Sequence, residues 1–404
     1  MVRPISLFLF VVLVVAKGEN LAEEQFNGVA LCISLAIVPC LSVVATACIS
    51  KRSVTPLLAT CAILLSWSAS VLVFSWGAFV QNISHGVFLV DNFILLLPAL
   101  FWLCVLWFVT SPMDKKFSWV LHRLRLDVLL LFVPIALFML MNKAISSFAS
   151  QDLGSVLDLV SILIMLSCAS FFITWILSAK PMKDCKLQKS IIEVGLRARV
   201  RKVRIYVWNT HGRIMNALAI GILFQTKTIV LTDKLISSLT KRELLAVTAH
   251  EFGHHKYWHI PFLLLTAISA MLLQDKLYRL FEFDMSGALV MIAQLVGTVM
   301  LLMLVSRQFE EQADAYAAVD SSRELEDCCV SEEGAMCMES ALGVIAHTQN
   351  IHVERNDFLH GSIASRQAKL QALIGCPFIE LPINKRVFWL KMGLGVSLVV
   401  GILI

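Results

Sequence analysis

The run His250-Glu251-Phe252-Gly253-His254 sets two imidazoles four residues apart, with a carboxylate beside the first. Four residues turn a helix through about 400°, so both rings share one face, a turn apart, and can hold one tetrahedral zinc. Glu251 stands to the side of that face, where it can take a proton from a water activated by the metal and hand it to a leaving amine. A catalytic zinc keeps one position open and takes a third protein ligand, which here must come from another element. Glu310, in Ser306-Arg307-Gln308-Phe309-Glu310-Glu311-Gln312-Ala313-Asp314, is the candidate. Asp314 shares its face one turn on and can orient a ligand imidazole from behind. Glu311 points about 100° away and is assigned to solvent. A metzincin site is disfavoured, because Tyr257 and Ile260 stand where that motif needs Gly and a third His. The expected chemistry is peptide-bond hydrolysis with one zinc ion per chain.

Several elements must position these groups. Thr240-Lys241-Arg242-Glu243 reads as a capping box that starts the histidine helix. Ahead of it, the β-branched runs 203–208 and 228–232, with 218–224 a weaker candidate between them, predict a small sheet. Beyond it, the apolar stretches 258–274 and 286–305 flank the charged run 275–284. They read as a helical hairpin that leaves the cytoplasm and returns, carrying Glu310 back beside His250 and His254.

The rest of the chain is a membrane sequence. Of 404 residues, 58% are hydrophobic and 16% charged, and the mean hydropathy of +0.78 excludes an ordinary soluble enzyme. Between Thr55 and Thr110 the only charge is Asp91. Apolar spans are read at 27–50, 55–80, 86–110, 127–148 and 155–178, each near the twenty residues a bilayer core requires. Lys51 and Arg52 in the first loop, and Lys115, Lys116, Arg123 and Arg125 in the third, put those loops in the cytoplasm. The fifth span then delivers the basic segment after Lys180 to the same side. The net charge of +5 is small and collects beside apolar spans, so nucleic acid is not an expected partner. The first 16 residues fit either a secretory signal or a short anchor, and Asn82-Ile83-Ser84 is a glycosylation sequon on a predicted outer loop. His211, His255 and His259 read as surface or interfacial groups, and Cys328, Cys329 and Cys337 as members of an exposed acidic loop.

Taken together, Asn216-Ala217 with Gly221, residues 228–233, 250–255 and 306–314, and His360 followed six residues later by Arg366 resemble the HtpX-type and CAAX-prenyl-protease-type integral membrane zinc metalloproteases. The resemblance covers about residues 200–370. It implies zinc ligation by Glu310, substrate held by β-addition along Asn216 and Ala217, and oxyanion stabilisation by His360 and Arg366. The family's common His-Pro is His360-Gly361 here. BlaR-like sensor proteases share several spans ahead of HExxH and a later Glu, but the Asn-Ala strand and His255 favour the first family.

The expected fold is mostly α: a multi-span helical membrane bundle with a cytoplasmic α+β zinc-metalloprotease domain carrying a small sheet. The expected division is a signal peptide or anchor at 1–26, a five-span membrane domain at 27–178, protease segments at 179–257 and 306–386, a transmembrane hairpin at 258–305 and a last span at 387–404. The expected function is endoproteolysis of membrane or membrane-associated polypeptides at the cytoplasmic face, with a role in protein quality control. A sensor protease cutting one regulator, and a non-enzymatic transporter or scaffold, are the alternatives. The partners are a polypeptide substrate and the lipid bilayer, with oligomeric state left open.

Overall fold

Helices dominate the computed structural model, which describes residues 28–48, 55–74, 76–77, 79–80, 88–111, 116–130, 132–134, 136–137, 140–141, 151–183, 185–223, 225–281, 287–323, 328–357 and 360–403. The expected signal or anchor at 1–26, the loop residues Lys51 and Arg52, Lys115 and the sequon at Asn82 lie outside the described residues. The chain forms two compact units, Met1–Gly154 with Met285–Ile292, and Ser155–Asp284 with Ala293–Ile404.

The first unit contains α1 (Gly28–Cys32), α2 (Val38–Cys48) joined to it by a π-helical turn, α3 (Thr55–Leu72), α4 (Phe88–Val109) and α5 (Lys116–Leu124). Ile63, Trp67, Leu103 and Leu106 are fully buried between them. Indole donors tie the apolar helices together. Trp67 Nε1 donates to the Leu95 carbonyl at 2.8 Å and Trp102 Nε1 to the Leu35 carbonyl at 2.8 Å. Both indoles are thereby satisfied where little else is polar.

The second unit begins at Ser155, within α6 (Gln151–Ile176), and continues with β1 (Lys180–Pro181) and α7 (Cys185–Arg197). A four-stranded sheet follows, in the order β1-β2-β4-β3, with β2 at Arg204–Trp208, β3 at Ala217–Ile220 and β4 at Thr228–Thr232. β4 is central, parallel to β2 and antiparallel to β3, and all five of its residues are buried, which its Thr-Ile-Val-Leu-Thr composition suits. The strand expected at 218–224 starts one residue earlier and stops at Ile220. Gly221 turns the chain there with φ of 100°, and a Cβ would sit 2.3 Å from the Thr226 carbonyl oxygen.

After α8 (Asp233–Ser238) comes α9 (Lys241–Lys256), the histidine helix. Its predicted capping box is present: Thr240 Oγ1 accepts from the Glu243 N–H, and Glu243 accepts from the Thr240 N–H at 2.8 Å. The helix packs on α7 where Gly195 makes room for the Phe252 ring, which a Cβ would approach to 2.7 Å. Trp258, with φ of 58°, ends this helix and redirects the chain into α10 (His259–Phe281). The next element is α11 (Gly287–Arg323), a single helix of 37 residues. The boundary expected at 305 therefore falls inside an unbroken helix, which carries Glu310 and Asp314 on the continuation of its apolar half. Then come α12 (Glu332–Thr348), α13 (Ile363–Gln371) and α14 (Pro382–Leu403). Of the three cysteines expected in an exposed loop, Cys328 is exposed, whereas Cys329 pairs with Pro377 in an antiparallel bridge and Cys337 lies in α12, both half-buried.

Among the described residues, two helices are long and apolar enough to cross a membrane, Val29–Cys48 and His259–Tyr278, with shorter apolar helices at Pro56–Val71, Phe93–Val109 and Ser167–Ile176. These helices turn large apolar side chains outward, Leu65 being 62% exposed, Phe101 60% and Trp175 64%.

Candidate metal centre and active site

Two helices converge on one point. From α9, His250 and His254 present Nε2 atoms 3.2 Å apart. From α11, Glu310 places Oε2 3.5 Å from His250 Nε2 and Oε1 3.5 Å from His254 Nε2. A tetrahedron with metal–ligand bonds of about 2.0–2.1 Å has edges of about 3.3 Å, so this spacing matches three corners of a zinc site. A water or substrate atom would supply the fourth corner. The two helices reach this separation because Gly253 faces Ala313, whose Cα would lie 3.2 Å from a Cβ on Gly253.

The three candidate ligands have further polar partners. His250 Nδ1 is 2.8 Å from Asp314 Oδ1. Arg366, on α13, forks onto the same carboxylate, Nε to Oδ2 and a terminal nitrogen to Oδ1, both at 2.7 Å. A bidentate pair of this kind fixes orientation as well as charge. His360 Nδ1 lies 2.9 Å from Glu310 Oε2, and Arg366 is 3.7 Å from the same oxygen. His360 sits at a tight turn in which Asp357 and Gly361 exchange backbone hydrogen bonds of 3.0 and 3.2 Å. Gly361 has φ of 75°, a value that the ring of a proline forbids.

Charge and burial compete throughout. Burial alone would lower the His250 pKa, yet Asp314 and Glu310 lift it to about 10. Burial dominates at His254 and takes it down to about 3. Burial also raises Glu251 above the usual carboxylate range, where a general base is useful. Glu310 is held well below that range, because His360 and His250 outweigh its burial.

Glu251 lies against the sheet. The Ala219 N–H donates to its carboxylate. In β3, Asn216 accepts from the Thr232 N–H, so alternation turns the N–H and C=O of Ala217 and Ala219 toward the free edge. Asn216 Oδ1 accepts from the Ala217 N–H at 3.0 Å, and the carbonyls of both alanines face the edge of the sheet.

All nine expected site residues are thus in one unit, seven of them in direct polar contact around Glu310, Asp314 and the edge strand. Two expectations need correction. Glu311 does point away from the ligands, but it is not solvated: its side chain is 11% exposed and lies between Lys369, at 2.7 Å, and Arg386. His255 and His259 are not surface groups, being 3% and 0% exposed, whereas His211 is exposed. His259 has moved to the back of the metal ligands through the Trp258 turn. No periodicity could have signalled that, because five residues along a continuous helix end up about 140° away.

An HExxH helix, a carboxylate from a second helix and a small sheet with an open edge define the class of zinc-dependent metallohydrolases. Residues 181–328 match the sequence model of peptidase family M48, a span that includes His250, Glu251, His254 and Glu310 but stops short of His360 and Arg366. This segment resembles the peptidase domain of that family. It is 30% identical over 213 residues to CAAX prenyl protease 1 homolog of Dictyostelium discoideum, covering 46% of this chain and 50% of that one. It is 29% identical over 196 residues to CAAX prenyl protease 1 of Saccharomyces cerevisiae, covering 40% and 43%. The chain thus matches about half the length of these curated relatives. The crystal structure of S. mikatae Ste24p shares its fold, with a TM-score of 0.54 at 18% identity, over 91% of this chain and 99% of that one.

Proposed function

We propose that the protein is a membrane-embedded zinc endopeptidase that hydrolyses peptide bonds of membrane or membrane-associated polypeptides, with its site at the cytoplasmic face. The observation that carries this reading is the convergence of two Nε2 atoms and one carboxylate at 3.2–3.5 Å beside a buried glutamate on the same helix. His250, His254 and Glu310 would hold a single zinc, which supplies a Lewis acid and brings the pKa of a water to about 7. A substrate in extended conformation adds to the edge of β3, its N–H groups bonding the carbonyls of Ala217 and Ala219 and its flank meeting Asn216. Glu251 takes a proton from the attacking water as the C–O bond forms, and delivers it to the amide nitrogen as the C–N bond breaks. His360 stabilises the developing oxyanion. Arg366 contributes positive charge to the same region while holding Asp314, and through it His250.

The basic residues after Lys180 and beside the apolar helices support a cytoplasmic orientation. The names of the curated relatives make prenylated CAAX polypeptides the first substrates to try, beside unfolded membrane proteins as quality-control substrates. The decisive experiment compares wild type with Glu251→Gln in full-length protein, measuring zinc content and cleavage of prenylated and unmodified peptides. Near one equivalent of zinc in both proteins, with cleavage lost only in Glu251→Gln, is the expected result. Undiminished cleavage by the variant rejects the base, and wild type free of zinc rejects the reaction.

A further inference from the structure

Behind the proposed metal ligands runs a polar chain, buried at its centre, that the hydrolytic reading does not use. His254 Nδ1, on the far side of the ring from Nε2, lies 3.0 Å from His259 Nδ1. His259 Nε2 lies 2.9 Å from Gln312 Oε1, and Gln312 Nε2 donates to Asn384 Oδ1 at 2.8 Å. His259 is completely buried, and its ring stacks on Phe309 at 4.4 Å with 3° between the planes. Four side chains from α9, α10, α11 and α14 are thus joined by three contacts.

We infer that His259 is a positioning residue for the metal centre, one that with Gln312 and Asn384 fixes the tautomer and ring plane in which His254 can ligate. The inference rests on the zinc site proposed above. Hydrogen bonding alone gives the chain a direction. Ligation through Nε2 requires that the His254 proton sit on Nδ1, where His259 Nδ1, 3.0 Å away, is the acceptor in line. The His259 proton must then sit on Nε2, facing Gln312 Oε1, and the Gln312 amide is oriented with its NH2 toward Asn384 Oδ1. Each ring N–H then meets one acceptor, with both rings neutral. Reversing the chain would put a proton on His254 Nε2, between Glu310 and His250, and exclude the metal. A neutral imidazole is a stronger acceptor than the backbone carbonyl that usually receives such a proton, so it also raises the ligand's basicity. A histidine kept only for packing would leave two ring nitrogens to be satisfied at a buried site, which a phenylalanine stacked on Phe309 would avoid.

The test uses purified full-length protein. His259→Phe keeps the ring and its stacking but removes both nitrogens. Gln312→Leu removes the last acceptor, and Gln312→Glu keeps it. The readouts are the zinc dissociation constant by chelator competition and the visible absorption of the cobalt-substituted protein, with thermal unfolding of the metal-free variants as a check on folding. His259→Phe is expected to weaken zinc binding about 10- to 100-fold and to shift the cobalt bands. Gln312→Leu should weaken it less, in the same direction, while Gln312→Glu binds at least as tightly as wild type. Folded His259→Phe with an unchanged zinc constant and cobalt spectrum overturns the role. If His259→Phe does not fold, equal zinc constants for Gln312→Leu and Gln312→Glu overturn it instead. A wild-type protein that binds no zinc brings down the metal centre itself, whereas wild type with tight zinc and indifferent variants refutes only the positioning role.

Discussion

Two imidazole nitrogens 3.2 Å apart, each 3.5 Å from a carboxylate oxygen, make little sense as ordinary core contacts. Burying three polar side chains together costs several kcal/mol unless something in common satisfies them. A dication does so, and the supports behind the ligands agree with that. Asp314 faces His250, and Arg366 holds Asp314 by both of its forks. A lysine reaches Asp314 with one point charge and cannot reproduce the fork. Arg366→Lys should therefore weaken zinc binding about tenfold or more, measured by chelator competition. His360 stands on the open side and touches only Glu310 among the ligands. His360→Ala should leave the zinc constant within about threefold of wild type while lowering kcat about 100-fold, the scale of a lost oxyanion donor. A large loss of zinc with kcat preserved in the loaded enzyme would make His360 a support for Glu310 instead.

Helix contacts decide whether the residues meet. Gly253 lies between the two histidines and admits Ala313 of α11. Gly253→Val would force the helices apart by roughly the size of its side chain, and zinc uptake should be lost even where the helical content by circular dichroism is unchanged. The cap at Thr240 is local and should behave additively. Thr240→Ala is expected to lower stability by about 1 kcal/mol in denaturant titration without altering the metal site. Before β3, the loop is tied to α8 by Asp233, which accepts from Thr210 Oγ1 at 2.6 Å and from the N–H groups of Thr210 and Gly212 at 2.9 Å each. Although burial opposes it, these bonds hold the Asp233 carboxyl below its usual range. The unfolded chain therefore binds this proton more readily than the folded one. The stabilisation is complete above the unfolded pKa of about 3.9 and fades as pH falls through the lower folded value. Asp233→Asn should abolish that part of the acid dependence, seen as a flatter unfolding midpoint below about pH 4.

At the scale of the whole molecule, apolar helices in both units present large hydrophobic side chains outward, from Leu65 and Phe101 to Phe171 and Trp175. A protein in water does not leave such faces bare, whereas lipid covers them without cost. The protein should stay in the membrane pellet on alkaline carbonate extraction and be released only by detergent. Release by carbonate would contradict the membrane reading while leaving the metal site untouched. Residues His250, Glu251, His254, Glu310, Asp314, His360 and Arg366 all lie in the second unit.

The sequence alone determined what depends on local spacing: the capped helix with His250, Glu251 and His254, the buried central strand at 228–232, and the pairing of Glu310 with Asp314 one turn apart. Helical and strand periods are properties of consecutive residues, so they can be read along the chain. Only the tertiary structure decided what depends on a turn or on partners far along the chain. Glu311 sits between two cations rather than in water, and Arg366 grips Asp314 across 52 residues. His259 comes to lie behind His254 because the left-handed Trp258 breaks the helix between them. The composition of an interior polar chain looks like any scatter of His, Gln and Asn until burial brings its donors and acceptors face to face.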